Sequence, residues 1–214
     1  MNYLIVNADD FGYSYGINRG IIEAHTKGIV TSTSVIVDAI AAEEAKGLTT
    51  FPGLSVGLHL VVQDLGRVQE ELDRQLERFK ELVGTEPDHI DVHKMLRRDE
   101  RLEKVLREYA RQHNMPIRQM GFAKFIDSFF GFHSNGDVSI AQLKKAIDQA
   151  TDSYNELMCH VGHSDDYLRR HSSYSDMREE ELKTICSTEA REYVAECGLI
   201  LCDWKQVAQQ EAQA

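Results

Sequence analysis

The sequence predicts an α/β fold, an irregular (β/α) barrel of about seven parallel strands, within one domain over residues 1–214. Three observations carry this expectation. Short apolar and β-branched runs alternate along the chain with longer segments of helical spacing, and such alternation builds a mostly parallel sheet with right-handed crossovers. No linker rich in Pro, Gly or Ser divides the chain, and no internal repeat is present. Polar residues able to do chemistry fall at the carboxyl ends of four separated runs, and they can meet only if the sheet curls round.

The first run, Leu4–Ala8, leads straight into the acidic pair Asp9-Asp10. The glycines of "GYSYGINRG", residues 12 to 20, lack the Lys-Ser/Thr ending of a phosphate loop; they read as a turn entering a helix, with Ser14 as its cap. Asp10-Phe11-Gly12 imitates a kinase triplet, but only nine residues precede it, too few for a glycine-rich loop and an essential lysine. Thr31–Val37 and Ser55–Val62 are the second and third strands. Val68, Leu72, Leu76, Phe79 and Leu82 recur every three or four residues, with Glu and Arg on the other face, so 67–83 is an amphipathic helix. His89–Lys94 is the fourth strand. Leu102, Val105, Leu106 and Tyr109 repeat the helical spacing before a fifth strand at Pro116–Met120. Ile140, Leu143, Ile147 and Tyr154 do so before the sixth, Leu157–Val161. Leu182, Ile185, Tyr193 and Val194 make the last helix, closed by Gly198 ahead of the final strand Leu199–Cys202.

A hydrophobic content of 42% with 28% charged residues is ordinary for a globular chain able to bury a sizeable core. The net charge of −11 argues against nucleic acid as a partner and suits a neutral or cationic ligand. No apolar run reaches membrane-spanning length and the N-terminus lacks a basic region followed by an apolar one, so a cytoplasmic location is expected. Cys159, Cys186, Cys197 and Cys202 form no Cys-x-x-Cys pair and read as small apolar fillers rather than as a disulfide or zinc site.

Two adjacent carboxylates at the end of a buried strand repel each other unless a cation or a shared proton relieves them. "GLHL" (57 to 60) and "HIDVH" (89 to 93) supply partners. Alternate strand residues share a face, so His89, Asp91 and His93 point one way and Ile90 and Val92 the other. A carboxylate with two imidazoles is a recurrent divalent-metal site that leaves positions open for water and substrate. The assignment is Asp10, His59 and His93 as ligands of one divalent ion, Mg or Zn foremost, with Asp91 orienting a histidine ring and Asp9 left as a neighbouring base. Taken alone, His59 reads better as a hydrogen-bonded core histidine, and "HIDVH" reads equally as an ordinary polar strand face. His160, in "CHVGHSDD", sits where a general acid to a leaving group is useful, and imidazole suits that role near neutral pH; a structural loop histidine is the plain alternative.

At these residues the chain resembles the YdjC-like family of carbohydrate deacetylases, whose best-known members act on acetylated chitooligosaccharides. The resemblance lies in "LIVNADDFGYSYGINRGIIEAHTKGIVTSTSVIV" (4 to 37), "SVGLHL" (55 to 60), "HIDVHK" (89 to 94), "ELMCHVGHSD" (156 to 165) and "SSYSDMREEEL" (172 to 182). It implies a metal-dependent deacetylase on an irregular barrel related to the glycoside hydrolase and deacetylase barrels. It also implies Asp9 as catalytic base, Asp10, His59 and His93 on the metal, His160 as general acid, and an acetylated amino sugar or oligosaccharide as substrate. Dimers are common among such folds, so a homodimer is compatible, although no residue marks an interface. The chain departs from the family's His-His-x-His with His93-Lys94-Met95-Leu96 and from its Cys-His-Pro-Gly with Cys159-His160-Val161-Gly162. The segment from Val62 to Arg67 is also short where relatives carry a longer substrate-covering excursion. These departures bear on substrate choice and keep a non-catalytic sugar-binding role in play. An iron oxygenase could use the same three ligands, but Asp9 would be idle in it.

Overall fold

The computed structural model describes residues 1–94, 99–130 and 136–211. Among them are strands β1 (Asn2–Phe11), β2 (Ser32–Val35), β3 (Ser55–Leu60), β4 (Ile90–Val92), β5 (Lys124–Ile126), β6 (Tyr154–Cys159) and β7 (Leu199–Leu201). The helices are α1 (Tyr15–Lys27), α2 (Val68–Val83), α3 (Glu100–His113), α4 (Ile140–Ile147), α5 (Asp166–His171), α6 (Ser175–Ile185), α7 (Thr188–Glu196) and α8 (Trp204–Glu211). All pairings are parallel, in the order β4-β3-β2-β1-β6-β5, with β7 beside β1. The sheet curls into a half-barrel that stays open between β4 and β5.

Central β1 is flanked on both edges, by β6 along one side and by β7 and β2 in succession along the other. Its outward residues Leu4, Val6 and Ala8 join the helix-side core, while Ile5 packs inward on Trp204, which closes the bottom of the barrel. Burial on both faces explains why the run reads as continuously apolar rather than alternating. The remaining faces follow the alternation: Ile90 and Val92 lie in the helix-side core, as do Leu157, Cys159 and Val161. Val161, one of the departures from the family pattern, is therefore a packing residue, fully buried.

Four details differ from the sequence expectation. β1 does not stop at Ala8 but runs on through both aspartates to Phe11. The expected strand at Pro116–Met120 makes only one bridge, Ile117 to Ile90, because Gln119 (φ 62°) and then Gly121 (φ 106°) turn the chain out of extension; the strand forms at Lys124–Ile126 instead. Tyr154 belongs to β6 and not to the helix before it. The last helical stretch is two helices, because Ser187 caps a new start by accepting a hydrogen bond from the Ala190 amide. Ser14 caps α1 as expected, accepting from the Ile17 amide, and all four cysteines are free. No helix among the described residues is long and apolar enough to cross a membrane.

Candidate active site

Strict alternation would send Asp9 and Asp10 to opposite faces of β1. The backbone prevents this. Asp10 takes a left-handed conformation (φ 74°) and the β1–β2 register shifts between Ala8 and Phe11, so Phe11 turns into the outer core and both carboxylates reach the inner cavity. Asp is one of the few non-glycine residues that accepts this conformation.

His59 and Asp91 are register partners on β3 and β4, so their side chains stand together on the inner face. Asp91 accepts from His59 Nδ1, and Ser34 Oγ donates to the other Asp91 oxygen at 3.0 Å. This tie turns His59 Nε2 toward Asp10 Oδ1, 3.2 Å away. His93, the first residue after β4, brings its Nδ1 to 3.4 Å from the same oxygen and 3.1 Å from His59 Nε2. The side chains of Asp10 and His59 are buried, whereas that of His93 is 23% exposed and opens the centre to the cleft.

Two arginines underpin the acids. Arg118 Nη1 donates to Asp9 Oδ1 at 2.8 Å and also to Asp91, and its Nε donates to Glu156 on β6. Asn7 Nδ2 donates to the same Asp9 oxygen at 2.8 Å. Arg178, on α6, donates to Asp10 Oδ2. Burial alone would raise the Asp10 pKa, but Arg178 and the two histidines outweigh it and hold the carboxyl well below its usual range. Burial would lower His59, yet Asp91, Asp10 and Asp9 push it up to about 10. Glu156 goes the other way: burial raises it to about 7 against the pull of Arg118, whose charge is already shared with Asp9 and Asp91.

These donors fit a divalent cation. Asp10, His59 and His93 offer ligand atoms that all lie within 4.8 Å of one another, and with His59 Nδ1 committed to Asp91 it is Nε2 that faces Asp10. Asp9, His59 and Asp91 lie equally close together, but Asp9 and Asp91 are already paired with Arg118. Four buried acids, Asp9, Asp10, Asp91 and Glu156, share two buried guanidiniums, Arg118 and Arg178, with His59 as their third cationic partner.

His160 follows β6 and lines the same cavity of about 630 Å³ as Asp9, Asp10 and His93. Its ring is set edge-on to Phe130 and Tyr174, at 5.5 and 5.9 Å between centroids, and its amide donates to Glu181 at 2.6 Å. Ring nitrogen Nδ1 of His160 is buried with no hydrogen-bond partner among the described residues. His89 shares the inner face of "HIDVH" but is stacked on Trp204; burial outweighs the pull of Asp91 and lowers it to about 3, so it is neutral. Lys94 lines the cavity with φ 64°, whereas Met95 and Leu96 lie outside the described residues.

Sequence reasoning did not single out Glu156, Ser34, Asn7 or Arg178. Glu156 was within reach, since it alternates with Met158 on β6 and with His160 just after the strand. Arg178 carries no such signal, because it approaches Asp10 from a helix distant in sequence.

Fold and centre together define a class: a parallel α/β half-barrel with a carboxylate–imidazole cluster at the carboxyl ends of its strands. The chain belongs to the YdjC-like protein family, whose model matches residues 3–67 and 62–196. It is 33% identical over 240 residues to a carbohydrate deacetylase of Geobacillus stearothermophilus, covering 95% of this chain and 97% of that one. It is likewise 33% identical over 240 residues to a chitooligosaccharide deacetylase of Proteus mirabilis, covering 91% and 94%. A crystal structure from Enterococcus faecalis V583, of a protein named for cellobiose-phosphate cleavage, superposes with a TM-score of 0.83 at 25% identity, covering 97% of this chain and 99% of that one.

Proposed function

We propose that the protein removes N-acetyl groups from acetylated amino sugars or chitooligosaccharides by hydrolysis, using one divalent ion, Mg or Zn, held by Asp10, His59 and His93. The observation that carries this is the convergence of Asp10 Oδ1, His59 Nε2 and His93 Nδ1, with separations of 3.1, 3.2 and 3.4 Å, beside a second carboxylate, Asp9. The names of the two deacetylase relatives support the reading. Such an ion supplies a water of lowered pKa and polarises the amide oxygen.

The remaining work falls to the chain. Asp9 takes the proton of the attacking water; its Oδ1 is occupied by Arg118 and Asn7, which leaves Oδ2 to receive it. Arg118 fixes the orientation of that carboxylate. His160, on the opposite strand edge of the same cavity, protonates the departing amine, which cannot leave as an anion. Phe130 and Tyr174 hold the His160 ring in place.

Acetate release from acetylated glucosamine oligomers tests the reading. Treatment with a chelator should abolish release, and Mg or Zn should restore it. Undiminished release by the metal-free protein would overturn the mechanism. An absence of release from every acetylated amino sugar, with metal present, would overturn the activity.

A further inference from the structure

Helix α6 buries Arg178, Glu181, Leu182 and Ile185, the three-four spacing of a core-facing stripe. Two of those positions hold charged side chains where apolar ones would cost less to bury. Arg178 is accounted for by Asp10, to which it donates. Glu181, fully buried, divides its two oxygens between His160 and a neighbour of the His160 ring. Its Oε2 accepts from the His160 amide at 2.6 Å, and its Oε1 accepts from the Tyr174 hydroxyl.

The same helix takes up the loop after β6 at alternate amides. His160 donates to Glu181, Gly162 to the Arg178 carbonyl at 3.3 Å, and Ser164 to Glu179 at 2.8 Å. The intervening His163 donates the other way, to Gly16 of α1 at 3.0 Å. Of these contacts with α6, the one at His160 is the one that lies at the cavity.

A histidine that moves a proton is ordinarily oriented by a hydrogen bond at its second ring nitrogen. His160 lacks that tie, since Nδ1 is buried and meets no partner among the described residues. Its ring is steered instead by its own backbone and by the rings of Phe130 and Tyr174. Glu181 holds two of these three supports, the His160 amide directly and the Tyr174 ring through its hydroxyl.

Resting on the deacetylase reading, we propose that Glu181 is the positioning residue of the general acid. Being fully buried, it meets no substrate; it sets the place from which His160 delivers its proton. In that step the C–N bond breaks, its electron pair stays on nitrogen, and a proton passes there from His160. Misplacing the donor slows this step without loosening the substrate or the ion.

The metal-loaded protein and its Glu181→Ala, Glu181→Gln and Tyr174→Phe variants test this. The first measurement is kcat and KM for acetate release from the β-1,4-linked disaccharide of N-acetylglucosamine. The second is Mg or Zn affinity by calorimetry. The third is the imidazole NMR spectrum of histidine-labelled protein, in which the His160 signal is the one that His160→Gln lacks. Glu181→Ala should lower kcat about 100-fold, the effect of a misplaced catalytic group, with KM and metal affinity unchanged and the His160 signal displaced. Glu181→Gln should recover most of kcat, because its amide oxygen can accept from the His160 amide while its NH2 donates to the Tyr174 oxygen. Tyr174→Phe keeps the ring, deletes one tie, and should lose part of kcat at unchanged KM; it decides the matter if Glu181→Ala does not fold. Undiminished kcat, a loss confined to KM or to metal affinity, or a Gln variant no better than the Ala variant would overturn the positioning role. If the wild type itself releases no acetate, the deacetylase reading falls. The His160 signal then judges the tie by itself: displacement in Glu181→Ala upholds it, and an unmoved signal overturns it.

Discussion

Arg118 Nη1 sits 2.8 Å from Asp9 Oδ1, with both side chains buried. One guanidinium thereby serves Asp9, Asp91 and Glu156, from three different strands, at the open side of the half-barrel. Its removal strands three carboxylates away from water. Arg118→Met should lower stability by about 3–5 kcal/mol, the cost of breaking a buried ion pair, and should depress turnover through a misoriented Asp9. Urea unfolding followed by circular dichroism checks it; a loss below about 1 kcal/mol would mean that the network is not held by this residue.

Asp9 and the Asp10–His59–His93 cluster should separate cleanly in a metal titration. Asp9→Asn is expected to keep metal affinity and lose about 100-fold or more in turnover. His59→Ala and His93→Ala should lose measurable metal binding. Metal-linked stabilisation gives a readout free of catalysis: at about 100 times Kd, the ion should add about 2.7 kcal/mol to the wild type and nothing to either histidine variant. Wild-type thermal stability indifferent to Mg and Zn would rule out the site.

Glu156 is the pH-sensitive member of the Arg118 cluster. Its pKa is about 7 in the folded chain against an ordinary 4.5, because burial outweighs its share of Arg118. The folded state thus holds this proton more tightly than the unfolded state. The stability it contributes is complete below pH 4.5 and is lost as pH rises through 7, by up to about 3 kcal/mol. Glu156→Gln should remove this slope, so the variant gains on the wild type between pH 5 and pH 8. A difference that stays flat across that range would show that Arg118 keeps Glu156 ionised throughout.

Helix α1 bears directly on the loop that carries His160. A Cβ at Gly20 would fall 2.4 Å from Gly162 Cα, a backbone contact with no side chain able to yield. Gly20→Ala should cost about 1–3 kcal/mol and reduce acetate release by shifting the loop. Gly47→Ala, where nothing lies within 4 Å, is the control and should stay within about 0.5 kcal/mol. Equal unfolding midpoints for the two variants would contradict the close approach.

Much of this architecture was legible because its elements announce themselves locally. β1 and β3 are apolar runs, α2 has an unbroken three-four spacing, and "HIDVH" alternates. Asp10, His59 and His93 could be grouped because parallel strands bring their carboxyl ends to one side. The unreadable parts depend on contacts distant in sequence. Arg118 is buried by Asp9, Asp91 and Glu156, which stand on three strands away from it in the chain. Arg178 reaches Asp10 across 168 positions. The strand at Lys124–Ile126 has only three residues and pairs only with β6, so no local period reveals it.

The kink at Asp10 makes β1 a strand whose length is as consequential as its composition. Adding or deleting a single residue between Asn7 and Phe11 would carry one of the acids to the outer face and bring Phe11 inward. An error of that kind does more than weaken the pocket, because it puts a phenyl ring into the inner cavity and a bare charge among the helices. Insertions tolerated elsewhere in this molecule should therefore be lethal to it here.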